Sequence, residues 1–302
     1  MTSHAEFFSD HGFVLIRGGI PPALVADLRR GFETIFAMRD RGETSGGSRR
    51  HQTILEPRCY HASFKDFLNL ASINRAAEEV IATRELVFAG LGVLLGTRDK
   101  TELCGWHRDH PENDPATQAL LKHPNAFLQL NCAVYDDPSL WVVPNSHGRF
   151  STPEELAYVA RMNAAAHAAE GHIRTGLEPL EVLAGMPGAI NVKLQAGDCL
   201  LYNALIWHGA EYNPARKRAT LHGGWRDAAA VDRHPALRWG IRHNPWLMHP
   251  DYIGELGPFF GPQLGRYQGM VRQYEPAFAA EQDAAHRAGR EAVAAQPVAL
   301  PY

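Results

Sequence analysis

The chain has 302 residues, 45% of them hydrophobic and 21% charged, enough for one large domain with a real core or two small ones. With 30 Lys and Arg against 33 Asp and Glu the net charge is -3, and no basic stripe is visible, which argues against nucleic acid as a partner. The longest nearly apolar run, LVFAGLGVLLG at 86–96, falls well short of the roughly 20 residues of a membrane span, and MTSHAEFFSD lacks the parts of a secretory signal, so a cytoplasmic protein is expected.

In chain order, residues 12–17 read as a short strand. Pro21 and Pro22 then lead into a helix with apolar residues at 24, 25, 28, 32, 35 and 36. Residues 39–51, RDRGETSGGSRRH, are glycine-rich and without period, which predicts a mobile loop. Residues 62–85 read as one or two helices. From about 86 the pattern becomes β. In 126–137, Phe127, Gln129, Asn131, Ala133 and Tyr135 face one way, and Leu128, Leu130, Cys132 and Val134 the other.

Residues 151–171 read as a helix capped by Thr152, with Pro153 in its first turn and Glu155 completing a capping box. Strands are expected near 188–194, 198–206 and 217–225. The Pro-, Gly- and aromatic-rich segment 243–274 is expected to fold over the core, and 275–295 to form a terminal helix. The four cysteines, at 59, 104, 132 and 199, form no CxxC pair and read mainly as small hydrophobes in a reducing compartment. No repeat or linker divides the chain. One domain over 1–302 is expected, with N-terminal helical decoration at 18–85 and a covering segment at 243–302. Short strands between turns favour a mainly β sandwich or jelly roll over a parallel sheet.

Two segments carry chemistry. In CGWHRDHPEN (104–113), an extended chain would put His107 and Asp109 on one face with Leu103 and Gly105, and Trp106, Arg108 and His110 on the other. A second HxD triplet, His249-Pro250-Asp251, contains a proline unsuited to a central strand and reads as a turn. The other segment, GDCLLYNALIWHGAEYNPARKRATLHGGW (197–225), reads as a strand ending at Trp207-His208, a loop GAEYNPAR, and a return strand with Arg218, Thr220 and His222 on one face.

Taken singly, His107 with Asp109 could be a surface turn, His208 a strand-end histidine, and Arg218 half of an external ion pair. Together, two imidazoles and one carboxylate are the donor set that holds one face of Fe(II) and leaves three positions open. Zinc could occupy the same ligands. Arg218 can grip a carboxylate with its rigid donor fork, and Thr220 can add a hydroxyl. Trp106, Trp141, Trp207 and Tyr202 are candidates either for the cavity wall or for core. Arg49, Arg50 and Lys193 could meet an anionic substrate or lie on the surface. Segments 41–51 and 243–270 are lid candidates.

These residues resemble the phytanoyl-CoA dioxygenase family of Fe(II)- and 2-oxoglutarate-dependent oxygenases. FFSDHGFVLIRGGIPPALVADLR resembles the family's opening strand and helix, and WHRDH its HxD segment. VVPNSHGR (142–149) resembles its Pro-Gly-Ser-His turn, with Asn145 in place of glycine, and LQAGDCLLYNALIWHGAEYNPARKRATLH its closing segment. The resemblance implies a double-stranded β-helix, a cupin-like jelly roll with surrounding helices. It implies that His107, Asp109 and His208 bind iron and that Arg218, with Thr220, holds the distal carboxylate of 2-oxoglutarate. Gln129 and Asn131 could hydrogen-bond cosubstrate or substrate, or form a solvated sheet face, and the Pro144–His147 turn is expected to shape the barrel.

The implied cofactors are Fe(II), 2-oxoglutarate and O2. Asp109 stands where halogenating relatives lack a carboxylate, which points to hydroxylation. The expected reaction is hydroxylation of an unactivated C–H bond of a small polar metabolite or natural-product intermediate, with release of succinate and CO2. Desaturation, cyclisation or epimerisation with the same cofactors are alternatives. A non-redox cupin-like metal-binding protein or isomerase is a further one. The partner expected is a small-molecule substrate, with neither nucleic acid nor membrane.

Overall fold

A strand with one apolar face needs a cover for that face, and alternating strands across the middle of this chain meet the need by stacking two sheets. The structure, a computed structural model, describes residues 3–229 and 244–288. The strands are β1 (Phe13–Ile16), β2 (Ser45–Ser48), β3 (Arg50–His51), β4 (Leu86–Leu95), β5 (Glu102–His107), β6 (Phe127–Ala133) and β7 (Asp137–Val143). They continue with β8 (His167–Glu170), β9 (Ile173–Thr175), β10 (Ile190–Leu194), β11 (Cys199–Asn203), β12 (Trp207–Tyr212) and β13 (Ala219–Asp227). A seven-stranded sheet runs β1-β11-β6-β13-β4-β3-β2 and a six-stranded sheet runs β10-β7-β12-β5-β9-β8. The pairings are antiparallel.

Helices cover the outer faces. Leu128, Leu130, Cys132, Leu221 and Trp225 of the first sheet are buried with Phe32 and Ile35 of helix Pro22–Asp40 and with Val80 of the later helix Ala71–Ile81. Phe260 and Leu264, from helix Phe260–Tyr274, complete that layer. Between the sheets, Ala133, Leu200 and Tyr202 meet Leu140, Val142 and Val192. Outside the second sheet, Leu103, Trp106 and Trp207 pack on Tyr158 of helix Pro153–Ala165 and on Val182 and Leu183 of helix Pro179–Ala184. The alternation holds over 127–134, with the Leu128 row facing the helices and the Gln129 row the other sheet, but Tyr135, expected in the Gln129 row, lies past the end of β6 and packs on the helical side beside Phe36.

Several local expectations hold. Thr152 and Glu155 form the capping box, and 62–85 contains two helices, Ala62–Leu68 and Ala71–Ile81. Asn145, standing for a glycine in the turn, has φ 65°, a left-handed conformation that asparagine tolerates better than most residues. Other expectations change. Segment 39–51 is not a free loop, and 18–85 is not wholly helical: β2 and β3 extend the first sheet, because His51 and Arg50 pair with Val93 and Leu94 at an open edge. The helix read over 151–171 stops at Ala165, and β8 begins at His167. Strand 198–206 breaks after Asn203, and GAEYNPAR is half strand, since β12 carries Trp207–Tyr212 into the other sheet. Of the C-terminal covering segment, helix Phe260–Tyr274 packs on β4 at the outer face of the first sheet, and helix Pro276–Arg287 packs on that helix rather than on the sheet; residue 243 and residues 289–302 lie outside the described residues. No helix among the described residues is long and apolar enough to cross a membrane.

β13 needs glycine where it is squeezed between β4 and β6. A Cβ on Gly224 would lie 2.0 Å from the Leu128 carbonyl oxygen, and one on Gly223 2.1 Å from that of Gly90. Backbone cannot yield as a side-chain tip can. Gly224→Ala is expected to lower stability by about 2 kcal/mol or more. The measurement is urea unfolding, with the midpoint falling and the slope unchanged.

Candidate active site

The two histidines are brought together by strand pairing. His208 on β12 is the direct partner of His107 at the end of β5. The next pair is Ala210 with Cys104, so β5 carries an extra residue there, a bulge. The bulge resets the alternation. Cys104, packed beside Ala210 and Tyr212, shares the inner face with His107, while Leu103 and Trp106 pack outside. The simple alternation that grouped His107 with Leu103 and Gly105 is thereby corrected. Asp109 follows in the turn, where its N–H donates to the Ala204 carbonyl at 3.1 Å.

His107 Nε2 and His208 Nε2 each lie 3.7 Å from Asp109 Oδ1, and the three donor atoms fall within 4.8 Å of one another. Each Nδ1 faces a backbone carbonyl, Gly105 at 2.7 Å for His107 and Ile206 at 2.9 Å for His208. A carbonyl can only accept, so each Nδ1 carries the proton and each Nε2 presents its lone pair to the common point. Asp109 Oδ2 accepts from Gln129 Nε2, which orients the carboxylate. His172 stacks on His107 with ring centroids 4.0 Å apart, and Tyr202 meets His208 edge-on at 5.7 Å.

Burial, reinforced by repulsion from His107, pushes the His208 imidazole down to about 4; burial also lowers His107. Burial would raise Asp109, but the neighbouring imidazoles of His208 and His107 outweigh it and hold the carboxyl at about 2. All three groups are thus in their ligating forms at neutral pH.

The second cluster lies on the same inner face. Arg218 Nε donates to Asp137 Oδ2 at 2.9 Å, the Thr220 hydroxyl donates to the same oxygen, and the arginine and aspartate side chains are each only 3% exposed. The guanidinium lies over the Tyr212 ring at 4.9 Å. Its terminal Nη1 and Nη2 are buried and, among the described residues, have no acceptor in hydrogen-bond geometry, Tyr212 being the nearest polar neighbour beneath the guanidinium. Buried donors without acceptors are costly, and two parallel N–H groups match a carboxylate. Next along β13, His222 Nδ1 is 2.8 Å from Asn131 Oδ1.

The structure brings His107, Asp109, His208, Gln129, Asn131, Arg218 and Thr220 onto one inter-sheet space. It places other candidates elsewhere. Trp106, Trp141 and Trp207 belong to the layer outside the second sheet, where Trp106 Nε1 donates to Val182; Tyr202 alone of those four aromatics faces inward. Arg49 pairs with Glu102 at 2.8 Å, Lys193 is exposed on β10, and Arg108 is held by the Ser146 and Leu205 carbonyls. His249 pairs with Asp283, far in sequence from the HxD segment.

A buried His51, Glu56 and Cys59 group also has metal-like spacing. It is self-satisfied. The Ser45 N–H donates to His51 Nδ1, so the ring proton sits on Nε2 and points to Glu56 at 3.2 Å. Sequence reading missed Asp137 and His172. Asp137 is separated from Arg218 by 81 positions, and His172 sits at what read as a helix end.

Two facing antiparallel sheets, a cluster of two histidines and one carboxylate, and beside it a buried guanidinium paired through Nε with Asp137 are the layout expected of a mononuclear non-haem iron oxygenase. The chain belongs to the phytanoyl-CoA dioxygenase family, whose model matches residues 8–219. It is accordingly a 2-oxoglutarate-dependent non-haem iron enzyme, using Fe(II), 2-oxoglutarate and O2. Among solved structures it is similar to HygX from Streptomyces hygroscopicus with iron bound, at 17% identity and TM-score 0.52, over 76% of this chain and 88% of that one. It is also similar to AviO1 from Streptomyces viridochromogenes Tue57, at 18% identity and TM-score 0.51, over 75% and 95% of the two chains. A third similar structure is the alpha-ketoglutarate-dependent carbocyclase SnoK from nogalamycin biosynthesis, at 19% identity and TM-score 0.51, over 76% and 85%. Likeness at this identity speaks for the fold. A comparison with curated proteins found no match.

Protons compete with a metal for these donors. Because burial lowers both imidazoles, His208 to about 4, and Asp109 lies lower still, affinity for Fe(II) or Ni(II) is expected to stay flat as pH falls through the ordinary histidine range and to fall only below it, as the imidazoles protonate. Anaerobic calorimetric titration across that range checks this; a decline already centred near pH 6.5 would contradict it.

Proposed function

We propose that His107, Asp109 and His208 hold Fe(II) and that the free Nη atoms of Arg218 hold the distal carboxylate of 2-oxoglutarate. The donor set suits a divalent iron without thiolate softness and leaves one face open. The geometry of the arginine fits the cosubstrate. Asp137 fixes Nε and Thr220, so the guanidinium is preorganised and its two terminal nitrogens remain available. When bound, iron and 2-oxoglutarate supply, with O2, an oxidant able to take hydrogen from an unactivated C–H bond, giving succinate and CO2.

The protein's part is positional. The Gly105 and Ile206 carbonyls set the imidazole tautomers, and Gln129 sets the carboxylate. Asn131, tied to His222, offers a polar wall for cosubstrate or substrate. Apolar layers on both sides keep bulk water away from the space. The sheets are read as a jelly roll within one oxygenase domain.

The substrate is taken to be a small polar metabolite or natural-product intermediate, and hydroxylation the reaction, with Asp109 filling the position that a halide would need. A carbocyclase on a similar fold keeps cyclisation, with desaturation and epimerisation, as the second reading. A structural ion site is disfavoured by Arg218, whose orphaned buried donors such a site would leave unexplained.

The single observation that carries this reading is the convergence of the three ligand atoms from two strands and a turn. Anaerobic addition of Fe(II) and 2-oxoglutarate is expected to give a weak visible charge-transfer band, absent in His208→Ala. Arg218→Met is expected to weaken 2-oxoglutarate binding by about 100-fold, the loss of a bidentate charged pair of about 2–3 kcal/mol. Tight metal binding with no band and no cosubstrate affinity would defeat the proposal. Succinate release across a metabolite panel, with mass spectrometry for a product heavier by one oxygen, decides the reaction.

A further inference from the structure

Arg226 continues the inner row of β13 beyond Arg218, Thr220, His222 and Gly224. Its guanidinium carbon lies 3.8 Å from the centre of the Phe127 ring, and His110 meets the same ring edge-on at 6.1 Å. It makes no hydrogen bond or ion pair among the described residues, and Asp109 is the charge it feels most. Burial makes the cation easier to neutralise, lowering it to about 10, so it remains charged at neutral pH. Arg226 is half-buried, and a partly desolvated cation without an acid of its own still carries a cost. Stacking on Phe127 uses the flat face of the guanidinium and leaves its N–H edges free for an anion.

The cosubstrate cannot be that anion. Thr220, at the Arg218 end, is six residues from Arg226, about 20 Å along a strand. The five-carbon chain of 2-oxoglutarate spans only about 6 Å. Asp109 lies between the two ends: its carboxylate is bonded to Gln129, the β6 partner of Gly224. Arg50 is excluded for the opposite reason. It is joined through Leu94 to Thr220 and so sits at the cosubstrate end.

The geometry points to Arg226 as the residue that recognises the substrate, by gripping a carboxylate or phosphate on it beyond the metal ligands. This rests on the oxygenase reading above and names the substrate class: an anion whose charged group lies away from the C–H bond that reacts.

The test uses the full chain loaded anaerobically with Fe(II) and 2-oxoglutarate. Benzoate and phenyl phosphate are titrated calorimetrically against the neutral probe benzamide. The wild type is expected to bind at least one anion about tenfold more tightly than benzamide. Arg226→Met, which keeps the stacked bulk, is expected to erase that preference, and Arg226→Lys to restore part of it. All three proteins are expected to bind 2-oxoglutarate alike, which also shows that the variants fold. No anion preference in the wild type, or a preference that survives Arg226→Met, overturns the inference. Absence of 2-oxoglutarate binding in every protein sinks the oxygenase reading and this inference with it, and is read in a separate arm from the anion titration.

Discussion

The site depends on one strand pairing. His208 sits opposite His107 because β12 and β5 are in register there, and the bulge in β5 brings His107 to the inner face that His208 occupies. Side chains alternate with a period of two, so a slip of one residue would send His208 out to the layer occupied by Trp207. Trp106 and Trp207 oppose such a slip. Both are buried against the helices outside the second sheet, with Trp106 Nε1 donating to Val182 and Trp207 Nε1 to Ser151. The large apolar surface of two tryptophans on one face thus fixes the polar donors on the other.

The same arrangement accounts for the electrostatics. A buried imidazole is disfavoured when charged, and a buried carboxylate is favoured when imidazoles surround it. The site therefore rests as a neutral-histidine, charged-aspartate set, the form a divalent ion needs. Arg218 and Asp137 solve a similar problem at the other end of β13. Each would be untenable alone in that layer, and as a pair they leave the two terminal nitrogens of the arginine without an acceptor among the described residues. On the proposed reading, the row from Arg218 to Arg226 lays a cosubstrate end, a metal level and a substrate end along one inner face.

Much of this could be read from local pattern. The two-residue alternation of β6, the capping box at Thr152, the HxD spacing and the interval from His208 to Arg218 are short-range features, set by backbone geometry and residue type. The β5 bulge was hidden because nothing in LCGWH distinguishes an inserted residue from a regular strand. Strands β2 and β3 were hidden because glycine-rich sequence has little strand preference; they form because β4 presents an open edge. Asp137 and His172 were hidden because their partners are distant in sequence.

By itself, then, the sequence determined the donor types, the alternating faces and the polarity of the row on β13, since these follow from covalent spacing and from the chemistry of single side chains. Tertiary structure decided which strands pair, where β5 bulges, that the tryptophans lie outside the cavity, and which acid meets Arg218. Those outcomes turn on register and on burial against distant segments, so no short window of the chain contains the forces that set them.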